Sequence, residues 1–196
     1  MKLSGVFDKF KDLDQIPIDE ILKWINPAPN RIVLENYLAG RIIFPQTVAV
    51  SKQDLKWDLA ILREALKKNA NLVSKISRKI FIPDEYLARF PNLSELIWVF
   101  IDAFKPKDIW TVIQKGAKFN TIGSVIVPSS GGKVEVEIII DGKNTKIAAG
   151  NLTVIPCQKH RCQISFTVKN GHILGKVKGV VEIFGGRAGV IVDTRI

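Results

Sequence analysis

The hydrophobic period of this chain changes once, near residue 116, and that change limits the fold more than any single motif does. Before it, apolar residues recur every three or four positions, the spacing of helices that bury one stripe. After it, β-branched runs are separated by Gly-centred turns, the spacing of strands. A chain of 196 residues can build one large domain or two small ones. The expected class is α+β, with a helix-rich domain over 1–116, an all-β domain of about seven short strands over 117–196, and a boundary at 116–120.

In the helical part, "PIDEILKWI" (17–25) sets Ile18, Ile21, Leu22 and Ile25 on one side behind an acidic first turn. "PNRIVLENYLAG" predicts a second short helix closed by Gly40. Ser51 is a good N-cap for the third, in which Leu55, Leu59, Leu62 and Leu66 form the stripe and Lys67 and Lys68 lie at the negative end of the dipole. "SRKIFIP" (77–83) reads as a strand stopped by Pro83. "NLSELIWVFIDAF" (92–104) reads as a helix, and "KPKDIWTVIQ" leads into another strand. This strand-helix-strand unit makes a small parallel pairing plausible.

In the β part, "KVEVEIII" places Val134, Val136 and Ile138 on one face and Glu135 and Glu137 on the other, as in a sheet wetted on one side. Asp141–Gly142 and Asn170–Gly171 are hairpin signals because these residues tolerate positive φ. A compact β-barrel or sandwich is expected.

Composition narrows the class. Hydrophobic content of 46% with 24% charged residues is that of a folded globular chain. The formal charge of +10 raises a nucleic-acid partner, but it is dispersed: 18 basic against 14 acidic residues in 1–116, and 11 against 5 in 117–196. The β part also has only Phe119, Phe166 and Phe184 as aromatics, a poor stacking platform for bases. "MKLSGVFDKFKDLDQ" lacks the layout of a signal peptide, and no apolar run is long enough to span a bilayer, so a cytoplasmic protein without membrane contact is expected.

Candidate chemistry is thin. Cys157 and Cys162 flank "QKHR" with His160 inside, yet only His172 could add a fourth zinc ligand. On one extended strand their five-residue offset would point them to opposite faces, so buried or half-buried thiols in a reducing compartment are expected. "SSGGKV" lacks the spacing and helix of a P-loop, and "FGGRAGVIV" precedes a strand rather than a helix, so their glycines read as turns. His160 and His172 fit no triad, and Asp19–Glu20 suits a helix N-terminus better than a catalytic pair. Asp193 and Arg195 share a strand face as a surface ion pair. Trp98 and Trp110 are expected in or near the core, and Trp57 at the edge of the leucine stripe.

Several stretches taken in order, "NRIVLENYLAGRIIFPQTVAVSKQDLKWDLAILREAL", "LIWVFIDAFKPKDIWTVI", "FNTIGSVIVP", "AAGNLTVIPC" and "FGGRAGVIVDTR", resemble the C-terminal part of the glutamate mutase accessory family, the MutL-like proteins of the actin-like ATPase fold. The resemblance spans roughly 30–195 and implies a remnant actin-like subdomain in the helical part. Family members carry phosphate-binding hairpins in an N-terminal half without a counterpart here, and a Gly-rich loop that would fall at Ile82–Glu85. Pro83 removes a donor there, and Asp84 and Glu85 put negative charge where an anion would sit, so the resemblance implies lost nucleotide binding.

The expectation is therefore a non-enzymatic interaction or assembly module with no cofactor, no metal and no catalytic residue. It would associate with itself or a protein partner through an apolar face left exposed on the helical part. The alternatives are an accessory chaperone of a cobalamin-dependent mutase, which rests on the resemblance, and a nucleic-acid-binding β-domain.

Overall fold

The computed structural model describes residues 16–44, 46–68, 73–74 and 77–195. The expectation that the N-terminal segment is no signal peptide lies outside them. The chain divides into two compact units, one of Met1–Leu72 with Pro83–Lys105 and the other of Val73–Ile82 with Pro106–Ile196. These contact boundaries fall elsewhere than 116–120, because strands ahead of that point belong to the sheet.

The helical unit holds α1 (Ile18–Leu22), α2 (Arg31–Ile43), α3 (Lys52–Lys67), α4 (Asp84–Arg89) and α5 (Leu93–Phe104). Local signals start them. Asn30 Oδ1 accepts from the amide of Ile32 at the head of α2. Ser51 Oγ accepts from the Asp54 amide while Asp54 returns the bond to the Ser51 amide, closing a capping box on α3. Gly40 does not end its helix. With no positive φ there, α2 runs through it to Ile43. Ile21, Leu34, Leu38, Ile61, Leu66, Leu96 and Phe100 are fully shielded from solvent, and α3 packs on α1 and α5.

The sheet unit is built on one sheet of eight strands: β1 (Val73–Ser74), β2 (Lys79–Pro83), β3 (Asp108–Lys115), β4 (Phe119–Val127), β5 (Ser129–Ile140), β6 (Lys143–Ile147), β7 (Leu152–His172) and β8 (Lys178–Asp193). Their order is β1-β2-β3-β4-β8-β7-β5-β6, open at both ends. The expected barrel is thereby overturned: the sheet does not close. β4 pairs parallel to β8, while β7 pairs antiparallel to both β8 and β5. One apolar cluster draws its described residues from β4 through β8 and from Ile173 between β7 and β8. Val134, Val136 and Ile138 point into it, as their alternation requires.

About seven short strands were expected from Gly116 onward, and five longer ones form. "NLTVIP" and "CQISFTV" join into β7, and "GGR" lies within β8. Asp141–Gly142 does turn the chain, with φ of 49° and 78°. Asn170–Gly171 does not, and Leu174–Gly175 makes that hairpin instead, with Ile173 and Lys176 exchanging backbone bonds of 2.9 and 3.0 Å. The glycines of "SSGG" and "FGGRAG" are therefore not corner residues; they sit inside β5 and β8. At Gly185 the reason is space, because a Cβ there would lie 2.2 Å from the Lys159 carbonyl oxygen and 2.5 Å from that of Cys157.

Candidate protein-binding groove on the helical unit

One face of α3 carries Lys52, Leu55, Lys56, Leu59, Ala60 and Arg63, spaced by three and four residues. α5, capped by Asn92, offers Glu95, Trp98, Val99 and Asp102 at similar spacing. The two faces, with Trp24 and Asn26 beyond α1, line an open groove of about 550 Å³. Leu62 and Leu66 of the leucine stripe are buried. Leu55 and Leu59 are only half-buried, so the upper part of the stripe faces the groove.

The tryptophans are distributed otherwise than expected. Trp98 is 39% exposed rather than in the core, and Trp24 is 43% exposed. Trp57 is buried, edge-on to Tyr37 at 4.9 Å. Trp110 is buried as expected and donates its indole N–H to the Lys107 carbonyl at 2.6 Å.

Arg63 lies at the base of this arrangement. Its guanidinium stacks over the Trp24 ring at 3.4 Å and pairs with Glu64, and its Nε lies 3.9 Å from Asp102. The side chain is only 9% exposed, yet its buried Nε–H has no hydrogen-bond acceptor among the described residues. A buried donor without a partner costs desolvation, and Arg41 Nε and Trp57 Nε1 are in the same state among the described residues. The groove thus has apolar walls, a basic lip of Lys52 and Lys56, and acidic groups at Glu95 and Asp102.

Beside it, a polar cluster ties α2, α3 and α4 together. Asp58 accepts from Tyr37 at 2.9 Å and from Arg41 at 3.0 Å, and Arg89 lies 3.6 Å away. Arg41 and Arg89 both donate to the Thr47 carbonyl. Burial, opposed by the two guanidiniums and the Tyr37 hydroxyl, raises the Asp58 carboxyl above the usual carboxylate value. Burial likewise lowers Arg89. The Asp58 carboxylate and the Tyr37 hydroxyl spend their bonds inside the cluster, which ties the helices together, while the buried Arg41 Nε–H, like that of Arg63, has no acceptor among the described residues.

The residues singled out from sequence do not converge. Asp84 and Glu85 form the first turn of α4 behind Pro83. Asp193 and Arg195 do pair, but not at the surface: Arg195 grips the buried Asp193 through Nε at 2.8 Å and Nη2 at 2.7 Å. His160 is exposed and lies edge-on to Phe184 at 5.5 Å, while His172 ends β7. Cys157 and Cys162 are not free thiols but a disulfide. The register of β7 on β8 shifts between Ile155 and Arg161. That irregularity turns both sulfurs to the same buried side, where an unbroken strand would have separated them. Among the described residues, no three His, Cys, Asp or Glu side chains gather as metal ligands, and no helix is long and apolar enough to cross a membrane.

No family model matches the chain. No curated protein and no solved structure matches it either. The resemblance to the glutamate mutase accessory family, and the label of an actin-like ATPase remnant, thus gain no support from these comparisons.

Proposed function

We propose that this protein is a non-catalytic interaction module whose helical unit takes an amphipathic helix of a protein partner into the α3–α5 groove. The carrying observation is the pair Trp24 and Trp98, each about two-fifths exposed on a groove floored by half-buried Leu55 and Leu59. Exposed tryptophan beside aliphatic side chains is the chemistry of interface anchors, and a groove lined by two helical stripes suits a helix laid along it.

A nucleic-acid role for the sheet unit is less well supported. Lys159, Arg161 and Lys169 are each engaged by a carboxylate, of Asp141, Glu182 and Glu135, which shields them from phosphate. A cytoplasmic setting is the part of this reading that the Cys157–Cys162 pair opposes, because disulfides persist mainly in oxidising compartments.

The test places a photo-crosslinking residue at exposed Lys56 in living cells. A defined protein adduct that disappears in Leu59→Glu, with the helical circular dichroism unchanged, is the expected result. Identical adducts with and without the Leu59 substitution would remove the groove from the account.

A further inference from the structure

The outer face of α2 is apolar, uncharged and unlike a solvated helix surface. Ile32, Val33, Ile43 and Phe44 are 64%, 49%, 67% and 57% exposed, and Val48 and Val50 beyond the helix are 56% and 90% exposed. The two charged side chains between Ile32 and Phe44 are otherwise engaged: Arg41 is buried on Asp58, and Glu35 accepts from Arg31 at 2.8 Å. Exposed Val33, Asn36, Gly40 and Ile43 follow one another by three, four and three residues, the seam spacing of a helix that packs against another helix.

The spacing of residues on this face is the same from either end, with two apolar side chains at each. Ile32 and Phe44 lie six residues either side of Leu38, Val33 and Ile43 five, and Asn36 and Gly40 two. We propose that α2 binds α2 of a second copy, antiparallel about a twofold axis at the level of Leu38. Ile32 then meets Phe44 of the other copy, and Val33 meets Ile43, at both ends of the seam. Asn36 meets Gly40 in the middle. Gly40 has nothing within 4 Å of where a Cβ would stand, so the helices approach closely there and the Asn36 amide can reach backbone of the facing chain.

A twofold pair repeats each contact on both sides of its axis, so this spacing sets apolar side chains on apolar side chains at both ends of the seam. Antiparallel helices also set opposite dipole ends together. Ile32, Val33, Ile43 and Phe44, each about half exposed or more, form a patch of the kind that marks an interaction site on a monomer, to be extended toward the ~800 Å² per partner of a standard interface by Asn36, Gly40 and their surroundings. The face lies outside the α3–α5 groove, and the proposal does not rest on the groove reading.

The test is sedimentation equilibrium of the full chain, with Ile43→Asp and, separately, the groove variant Leu59→Glu. The expected result is a dimer whose dissociation constant rises about tenfold or more in Ile43→Asp and is unchanged in Leu59→Glu. Mixing Asn36→Cys protein with Gly40→Cys protein adds a geometric readout, because these two positions face each other across the seam while each is offset by about 6 Å along the axis from its own counterpart. The native cysteines are bonded to each other, so under mild oxidation the mixture should give a covalent dimer, and Lys52→Cys protein should not. A protein monomeric at high concentration, a dimer indifferent to Ile43→Asp, or a dimer lost in Leu59→Glu would each overturn the proposal.

Discussion

The guanidinium of Arg41 lies 3.0 Å from the carboxylate of Asp58, with their side chains 5% and 1% exposed. Asp58→Asn keeps the shape but leaves Arg41 and Arg89 as buried cations without their counter-charge. Breaking a buried pair from one side costs ~3–5 kcal/mol. Chemical denaturation should show a loss of that size, and a loss under ~1 kcal/mol would mean that water reaches the cluster.

Both tyrosines of the chain, Tyr37 and Tyr86, are held above the ordinary phenol value, first by burial and then by the negative charge of Asp58 and Glu85 respectively. A raised folded value gives a contribution that is fully present below the unfolded value of 10.0. It is lost as pH rises above that, because only the unfolded chain ionises easily. Alkaline titration should therefore show the tyrosinate absorbance appearing together with unfolding, above about pH 10. Tyrosinate growing in while the circular dichroism stays native would contradict this.

Gly185→Ala should destabilise the sheet unit by at least ~1–3 kcal/mol, since its Cβ would strike two backbone carbonyls that cannot rotate away. Gly131→Ala is the control: it stands in open space at an ordinary φ and should change stability by no more than ~0.5 kcal/mol. Equal effects at the two sites would show that the β7–β8 approach is not as close as described.

The Cys157–Cys162 bond predicts that a thiol reagent finds nothing to label in native protein, or in protein unfolded without reductant. Two equivalents should react after reduction in denaturant. Labelling without reductant would restore the free thiols expected from the sequence.

The helices were legible because their signals are local. Ser51 with Asp54 in a capping box, and the leucines of α3, lie within a few turns of one another. The exposure of Trp98 was also within reach: Leu96, Ile97, Phe100, Ile101 and Phe104 already claim one face of α5, which leaves position 98 on the other. The joining of strands was not legible. Whether glycines in "FGGRAG" end a strand or let two strands touch depends on what lies opposite, here Lys159 and Cys157 some twenty-six residues earlier. The disulfide was missed for the same reason, since the shift of β7 on β8 is a property of the pairing and not of the segment. Trp57, expected at the edge of the leucine stripe, is buried because Tyr37 covers it from outside the window of one helix.

The residues of α4 and α5 are spliced between β2 and β3. No single scission of the polypeptide therefore releases either unit whole: a cut before Val73 strands α4 and α5 with the sheet, and a cut after Lys105 carries β1 and β2 away with the helices. During synthesis the ribosome delivers the helical unit complete at Lys105, while β2 must wait for β3 to be made. The last-formed contacts belong to the sheet, and folding should be paced by strand pairing across long stretches of sequence.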